Sequence, residues 1–424
     1  MEKSAYYQQY VNILKEELRP ALGCTEPIAI AFAAAKARDV LDEPVERIEL
    51  HCSGNIVKNV KGVTVPNSGG LKSLEAAAII GILAGDADSE FEVLHNVDEE
   101  AIALTKVWLK ERRCICQLIE NCDNLLIRVY VFGANHRAMV EVKTTHTNIT
   151  HIERDGEVLY SKESTVQKVA ATDKSVLELK QIIKFAETCD IADVAPPIER
   201  QIELNKAISD EGLAHAYGAC VGRVIKETQD WNDTRVRAKA CAAAGSDARM
   251  SGCPLPVVIN SGSGNQGMTV SLPVIEYAET LEVDHETLIR SLVLANLIAL
   301  LQKRYIGNLS AYCGAVCAAA GAGAGITFLK GGRYDEISAA VTNTLANASG
   351  IVCDGAKPSC AAKIALSLDA AFLGIDLAEH HKTFQPGDGL VKDCVEDTIE
   401  QIGRMGREGM KQTDVEILKI MLDQ

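Results

Sequence analysis

The sequence predicts an α+β chain: a mainly helical domain with a smaller α/β domain near the N-terminus. Three observations lead there. At 424 residues the chain exceeds what one compact core serves well. Apolar residues make up 47% but aromatic residues only 4%, so Ala and Gly fill much of the interior, which suits close helix packing and argues against an all-β sandwich. Apolar alternation of period two is confined to residues 45–160, and helical periodicity dominates beyond them. The expected division is 1–44 as N-terminal helices packing with the larger domain, 45–163 as the α/β domain and 164–424 as the helical domain.

Residues 4–19 read as an amphipathic helix that stops before Pro20. Pro27 opens a second helix, in a first turn where its missing N–H costs nothing. Residues 45–52, 125–131 and 138–142 alternate as strands, 148–160 reads as another pair, and helices near 71–84 and 98–110 lie between them. Helices are then expected at 175–188, 197–228, 233–245, 271–280, 285–304, 313–330, 335–348 and 359–372. Gly and Ser interrupt them most densely at 260–267, and 388–424 should close the domain with a polar-faced helix pair.

Charge narrows the partners. The chain has 43 basic and 58 acidic side chains, a formal charge of −15, which repels phosphate backbones and anionic lipid and excludes nucleic acid and the membrane surface. No apolar h-region precedes residue 20, and the small-residue stretch 313–329 is too short and too Gly-rich to span a bilayer. The reading is a cytoplasmic protein whose 14 cysteines stay reduced. A homodimer is compatible with the sequence.

Three cysteines stand in unusual settings: Cys24 in Leu22-Gly23-Cys24-Thr25-Glu26-Pro27, Cys313 before Gly314, and Cys353 before Asp354-Gly355. Beside a helix breaker, backbone can fold closely around a bulky ligand. Three thiolates can hold three irons of a [4Fe–4S] cluster and leave the fourth iron open to polarise a substrate. No C-x2-C pair indicates a zinc ribbon or ferredoxin run. Cys360 follows Cys353 across a polar turn that opens a helix, where the dipole stabilises a thiolate. The remaining cysteines, Cys317 among them, read as small buried hydrophobes.

Gly262-x-Gly264-x-x-Gly267 matches the dinucleotide fingerprint formally, but the neighbourhood is helical and no βαβ unit surrounds it. A nest of backbone N–H groups with Ser261, Ser263, Asn265 and Gly267 receiving a substrate carboxylate is the better use; a structural glycine turn is the alternative. Ser53, Asn55, Lys58 and Asn59 form a second donor-rich group after a strand, in reach of an amino-acid group. Asn and Gly are also ordinary turn formers. His146-Thr147-Asn148 is a weaker candidate of the same kind. No Gly-x-Ser-x-Gly elbow, His-Glu-x-x-His or Walker sequence occurs.

Together these motifs resemble the cysteine desulfidase family, which is related to the iron–sulfur-dependent L-serine dehydratases through their alpha-chain domain. The resemblance runs over essentially the whole chain and implies a [4Fe–4S] cluster and α,β-elimination of L-cysteine to pyruvate, ammonia and hydrogen sulfide. It implies Cys24, Cys313 and Cys353 as cluster cysteines; in the serine dehydratases the matching set is Cys313, Cys353 and a third like Cys360. Those dehydratases also carry a Ser-Ser-His-Thr element in the smaller domain. Its absence here favours L-cysteine over L-serine. Cys24, Glu26 and Lys357 are the candidate proton acceptors. A non-enzymatic iron–sulfur or amino-acid sensor is the rival of a different class.

Overall fold

Strands and helices alternate only in the first part of the chain, as the change of apolar period requires. The computed structural model describes residues 6–120, 122–162, 172–307 and 309–422; the expected 163/164 boundary lies outside them. After α1 (Tyr7–Glu17) and the short β1 (Pro20–Leu22), α2 spans Thr25–Leu41. Then follow β2 (Arg47–Ser53), α3 (Gly54–Val60), α4 (Leu74–Ala84) and α5 (Glu99–Lys110). Strands β3 (Cys114–Ile119), β4 (Leu126–Phe132), β5 (Arg137–Lys143), β6 (Ile149–Arg154) and β7 (Glu157–Ser161) complete a sheet of order β3-β2-β4-β5-β6-β7.

Among the described residues only β2 and β3 pair in parallel, Ile48 opposite Cys114, joined by a crossover that includes α3, α4 and α5. One sheet face carries Ile48, Leu50, Cys52, Val129, Val131, Val140 and Val142, all buried. Helix α2 packs on that face and α4 lies against α2. A Cβ on Gly81 would stand 2.5 Å from the Ala31 carbonyl oxygen, so this contact requires glycine. The two helices within residues 1–44 pack differently. Helix α2, apolar on nearly every side, belongs to the sheet layer, whereas Tyr7 of α1 donates to Asp193 Oδ2 at 2.7 Å in the helical half.

The helical half comprises α6 (Leu179–Thr188), α7 (Ile191–Ala214), α8 (Val221–Thr228), α9 (Thr234–Met250), β8 (Pro256–Val258), α10 (Gly264–Thr280) and α11 (His285–Ile306). It continues with α12 (Gly314–Leu329), α13 (Tyr334–Ala348), α14 (Cys360–Glu379), α15 (Val395–Arg404), a π-helical turn at Met405–Gly409, and α16 (Lys411–Met421). Helix α12 is its axis, packed against α10, α11, α13 and α14. The expected helix 197–228 is instead two, broken where Gly218 (φ +54°) and Cys220 (φ +55°) turn left-handed. The expected helix at 271–280 begins earlier, at Gly264. Its glycine motif does open a helix after a strand, but β8 pairs antiparallel with β1, so no parallel dinucleotide sheet forms.

Candidate active site

Helix N-termini from both halves converge on one cavity. Cys24 caps α2, Ser263 caps α10, Cys313 caps α12, and Cys360 is the first residue of α14. Each terminus points unpaired N–H groups and a partial positive charge at the same hollow. The cavity, about 110 Å³, is the size of a small ligand.

Eleven residues singled out in the sequence line it: Cys24, Glu26, Asn55, Lys58, Asn59, Ser261, Ser263, Asn265, Cys313, Cys353 and Cys360. Three others lie elsewhere. Ser53 Oγ donates to the Asn124 carbonyl at 2.8 Å and accepts from Leu126 N, fixing the start of β4. A Cβ on Gly267 would stand 2.0 Å from the Val258 carbonyl oxygen, so this glycine permits helix–strand packing. The Lys357 ammonium lies 3.8 Å from Met421 Sδ and 3.8 Å from Asp354, directed at the C-terminal helix.

Glu26 is the hub. Its Oε2 accepts from the Cys24 thiol at 3.0 Å and the Thr25 hydroxyl at 3.1 Å, and its Oε1 accepts from Asn59 Nδ2 at 2.9 Å. Burial alone would raise its carboxyl, but nearby His146, the Cys24 thiol and the Arg249 charge hold it at about 2. His146 Nε2 stands 3.8 Å away, beyond hydrogen-bond length, so it acts there through its field. The thiols shift the other way. Burial, then the Glu26 carboxylate, drives Cys24 well above the usual thiol range. Burial also raises Cys313, with Cys353 beside it, and pushes Cys360 to about 11. Binding iron would therefore displace protons from these sulfurs.

Lys58, 1% exposed, is gripped by Asp414 of α16 and donates to the Cys353 carbonyl at 3.3 Å. Gly355, at φ +94°, lets the cysteine turn pack on α3; a Cβ there would meet the Lys58 carbonyl oxygen at 2.3 Å. Lys363 pairs with Asp354. Sequence reasoning missed Arg249, Gln266, Lys303, Tyr312 and Lys363 and undervalued His146, all of which line the cavity. A signal existed for two of them. Arg249 is a lone cation closing the Ala-rich run of α9, and His146 sits in Thr144-Thr145-His146-Thr147. That run has the Ser-Ser-His-Thr pattern with Thr in place of Ser, so the argument against L-serine from its absence falls.

Among the described residues no group of three or more His, Cys, Asp or Glu could hold a metal ion. Cys24, Cys313, Cys353 and Cys360 nevertheless line one cavity, and thiolates are the donors an iron–sulfur cluster takes. Asn59 Oδ1, His146 Nε2, Arg249 Nε, Gln266 Oε1 and the Tyr312 hydroxyl are buried without hydrogen-bond partners, an arrangement folded proteins rarely tolerate without a ligand or water. An adjoining hollow of about 520 Å³ under α16 shares Asn55, Leu309 and Ser310 but is lined by none of the four thiols.

Comparison with known sequences fits this geometry. A UPF0597 protein of Lachnoclostridium phytofermentans is 51% identical over 417 residues, covering 98% of this chain and 100% of its own. One from Desulfitobacterium hafniense is 50% identical, covering 99% and 97%, and one from Phocaeicola vulgatus 36% identical, covering 98% and 97%. Those names state no activity. A family model described as serine dehydratase alpha chain matches residues 89–419, which include Cys313, Cys353 and Cys360 but not Cys24 or Glu26. The chain belongs to the serine dehydratase alpha chain family.

Proposed function

We propose that this protein is an iron–sulfur-dependent lyase that removes the β-substituent of L-cysteine by α,β-elimination, giving pyruvate, ammonia and hydrogen sulfide. The observation that carries the reading is the meeting of Cys313, Cys353, Cys360 and the Cys24–Glu26 pair around one cavity. Cys313, Cys353 and Cys360 are the proposed cluster ligands. A bound [4Fe–4S] cluster with an open iron would supply Lewis acidity to the departing heteroatom.

The chain's own residues do the rest. Helix N-termini and buried cations hold the amino acid's carboxylate in a small hollow that admits little water. The Cys24–Glu26 pair is the proposed acceptor of the Cα proton: the Cys24 thiol passes its proton to Glu26 Oε2 along their 3.0 Å bond as its sulfur takes the Cα proton. Glu26 alone, held at about 2, is a weak base. L-Cysteine is supported as substrate by its leaving group: a thiol with a pKa of about 8.5 leaves readily as thiolate. Water then hydrolyses the enamine product to pyruvate and ammonia.

L-Serine dehydration is the second reading, favoured by His146 at the cavity within its Thr-Thr-His-Thr run. Anaerobic reconstitution with iron and sulfide, followed by assays of sulfide from L-cysteine and pyruvate from L-serine, tests both. Bound iron with turnover of neither amino acid would sink the lyase reading and leave the sensor.

A further inference from the structure

Resting on the reading of the cavity as an amino-acid site, we propose that Arg249 binds the substrate's α-carboxylate. Cations lining the cavity include Lys58, Lys363 and Arg249. Lys58 is matched by Asp414 and Lys363 by Asp354. Arg249 forms no ion pair among the described residues, although it is only 2% exposed. Its Nη1 donates to Asn265 Oδ1 at 3.1 Å, and its Nε has no partner. Its charge acts on the Glu26 carboxylate beyond ion-pair distance, but a buried guanidinium N–H without an acceptor is costly unless a ligand completes it, and its planar fork fits a carboxylate through two parallel hydrogen bonds.

The backbone holds this group in place. A Cβ on Gly264 would stand 2.4 Å from Arg249 Nε, so the side chain lies directly on the bare first turn of α10. The N–H groups of that turn add to the positive field at the same point. Gln266 Oε1 and Asn59 Oδ1, both partnerless, are acceptors for an α-ammonium. Arg249 is thus the proposed carboxylate end of the cavity, and Cys313, Cys353 and Cys360, which line the same cavity, are the proposed side-chain end.

Two thiol probes that each lack one substrate group test this without turnover: 3-mercaptopropionate keeps the carboxylate, and cysteamine keeps only the amine. Binding to the reconstituted wild-type protein, followed by thermal shift and visible absorbance, should favour 3-mercaptopropionate. Arg249→Gln should reduce that preference at least about tenfold, the loss expected for a charge-assisted hydrogen bond. Arg249→Lys should keep part of it, and Asn265→Ala, which frees the guanidinium to turn, should lose less than Arg249→Gln. Iron content should match wild type in all three. Equal binding of the two probes by wild type would overturn the assignment, as would an undiminished preference in iron-replete Arg249→Lys if Arg249→Gln fails to fold. Retained discrimination with no product from any amino acid would overturn the lyase reading while leaving Arg249 as the carboxylate site.

Discussion

The Cys24 thiol donates to Glu26 Oε2 across 3.0 Å at the first turn of α2, and Asn59 of α3 holds the other carboxylate oxygen at 2.9 Å. This contact ties the proposed proton acceptor to the sheet layer, apart from the helices that carry Cys313 and Cys360. Glu26→Gln should keep the bound iron yet lower sulfide release from L-cysteine by about a hundredfold or more, the usual loss for a general base. Cys24→Ser should do the same. Loss of iron in Cys24→Ser would instead make Cys24 a ligand.

Replacing Cys313, Cys353 or Cys360 singly by Ala should abolish the visible iron–sulfur absorbance and the activity together. Far-ultraviolet circular dichroism should stay at the wild-type level, because Cys313 and Cys360 sit at helix starts and Cys353 in the loop before α14, outside every helix interior. A variant that keeps full iron and full absorbance removes its residue from the ligand set.

Asp414→Asn should cost about 3 kcal/mol in a denaturant titration, because it strands the Lys58 ammonium, a buried charge without its counter-ion. Helix α16 should also become the first site of limited proteolysis. Unchanged stability and cleavage would show that Lys58 finds another partner.

Gly267→Ala should destabilise the fold by about 1–3 kcal/mol, since its methyl group would stand 2.0 Å from the Val258 carbonyl oxygen. KM should not move in the folded fraction. A large KM change at unaltered stability would return Gly267 to the substrate site.

Asp247 gives the pH prediction. Its Oδ2 accepts from Gly222 N at 3.0 Å at the start of α8, its Oδ1 has no partner, and burial raises its carboxyl to about 6. The unfolded value is about 3.9, so the folded state binds the extra proton between those values. The stability this contributes is full below about pH 3.9 and is lost as pH rises through about 6. In urea titrations at pH 4.5 and 6.5, wild type should lose stability relative to Asp247→Asn on going to the higher pH. An identical pH dependence in both proteins would refute the shift.

Much of the architecture was legible because it follows from period alone. The strands at 45–52 and 125–131 and the helices from 285 onward repeat their apolar residues at spacings that only one backbone geometry can bury. Helix ends were harder. The break between α7 and α8 depends on left-handed turns at Gly218 and Cys220, which nothing in the apolar pattern announces. Within the site, Cys24, Cys313 and Cys353 were recognisable from the breakers beside them. Ser53, Gly267 and Lys357 looked equally suitable as sequence but were drawn off by a strand edge, a helix contact and the C-terminal helix.

The residues alone determined that thiols and polar groups capable of iron and amino-acid chemistry were present, and that a helical majority would carry them, since composition and local spacing suffice for both. Tertiary structure alone decided which of them face one another. Arg249 and His146, 103 positions apart in the sequence, border the same hollow because α9 and the loop after β5 are brought together by packing. Such meetings depend on long-range contacts, and no periodicity within either segment records its distant partner.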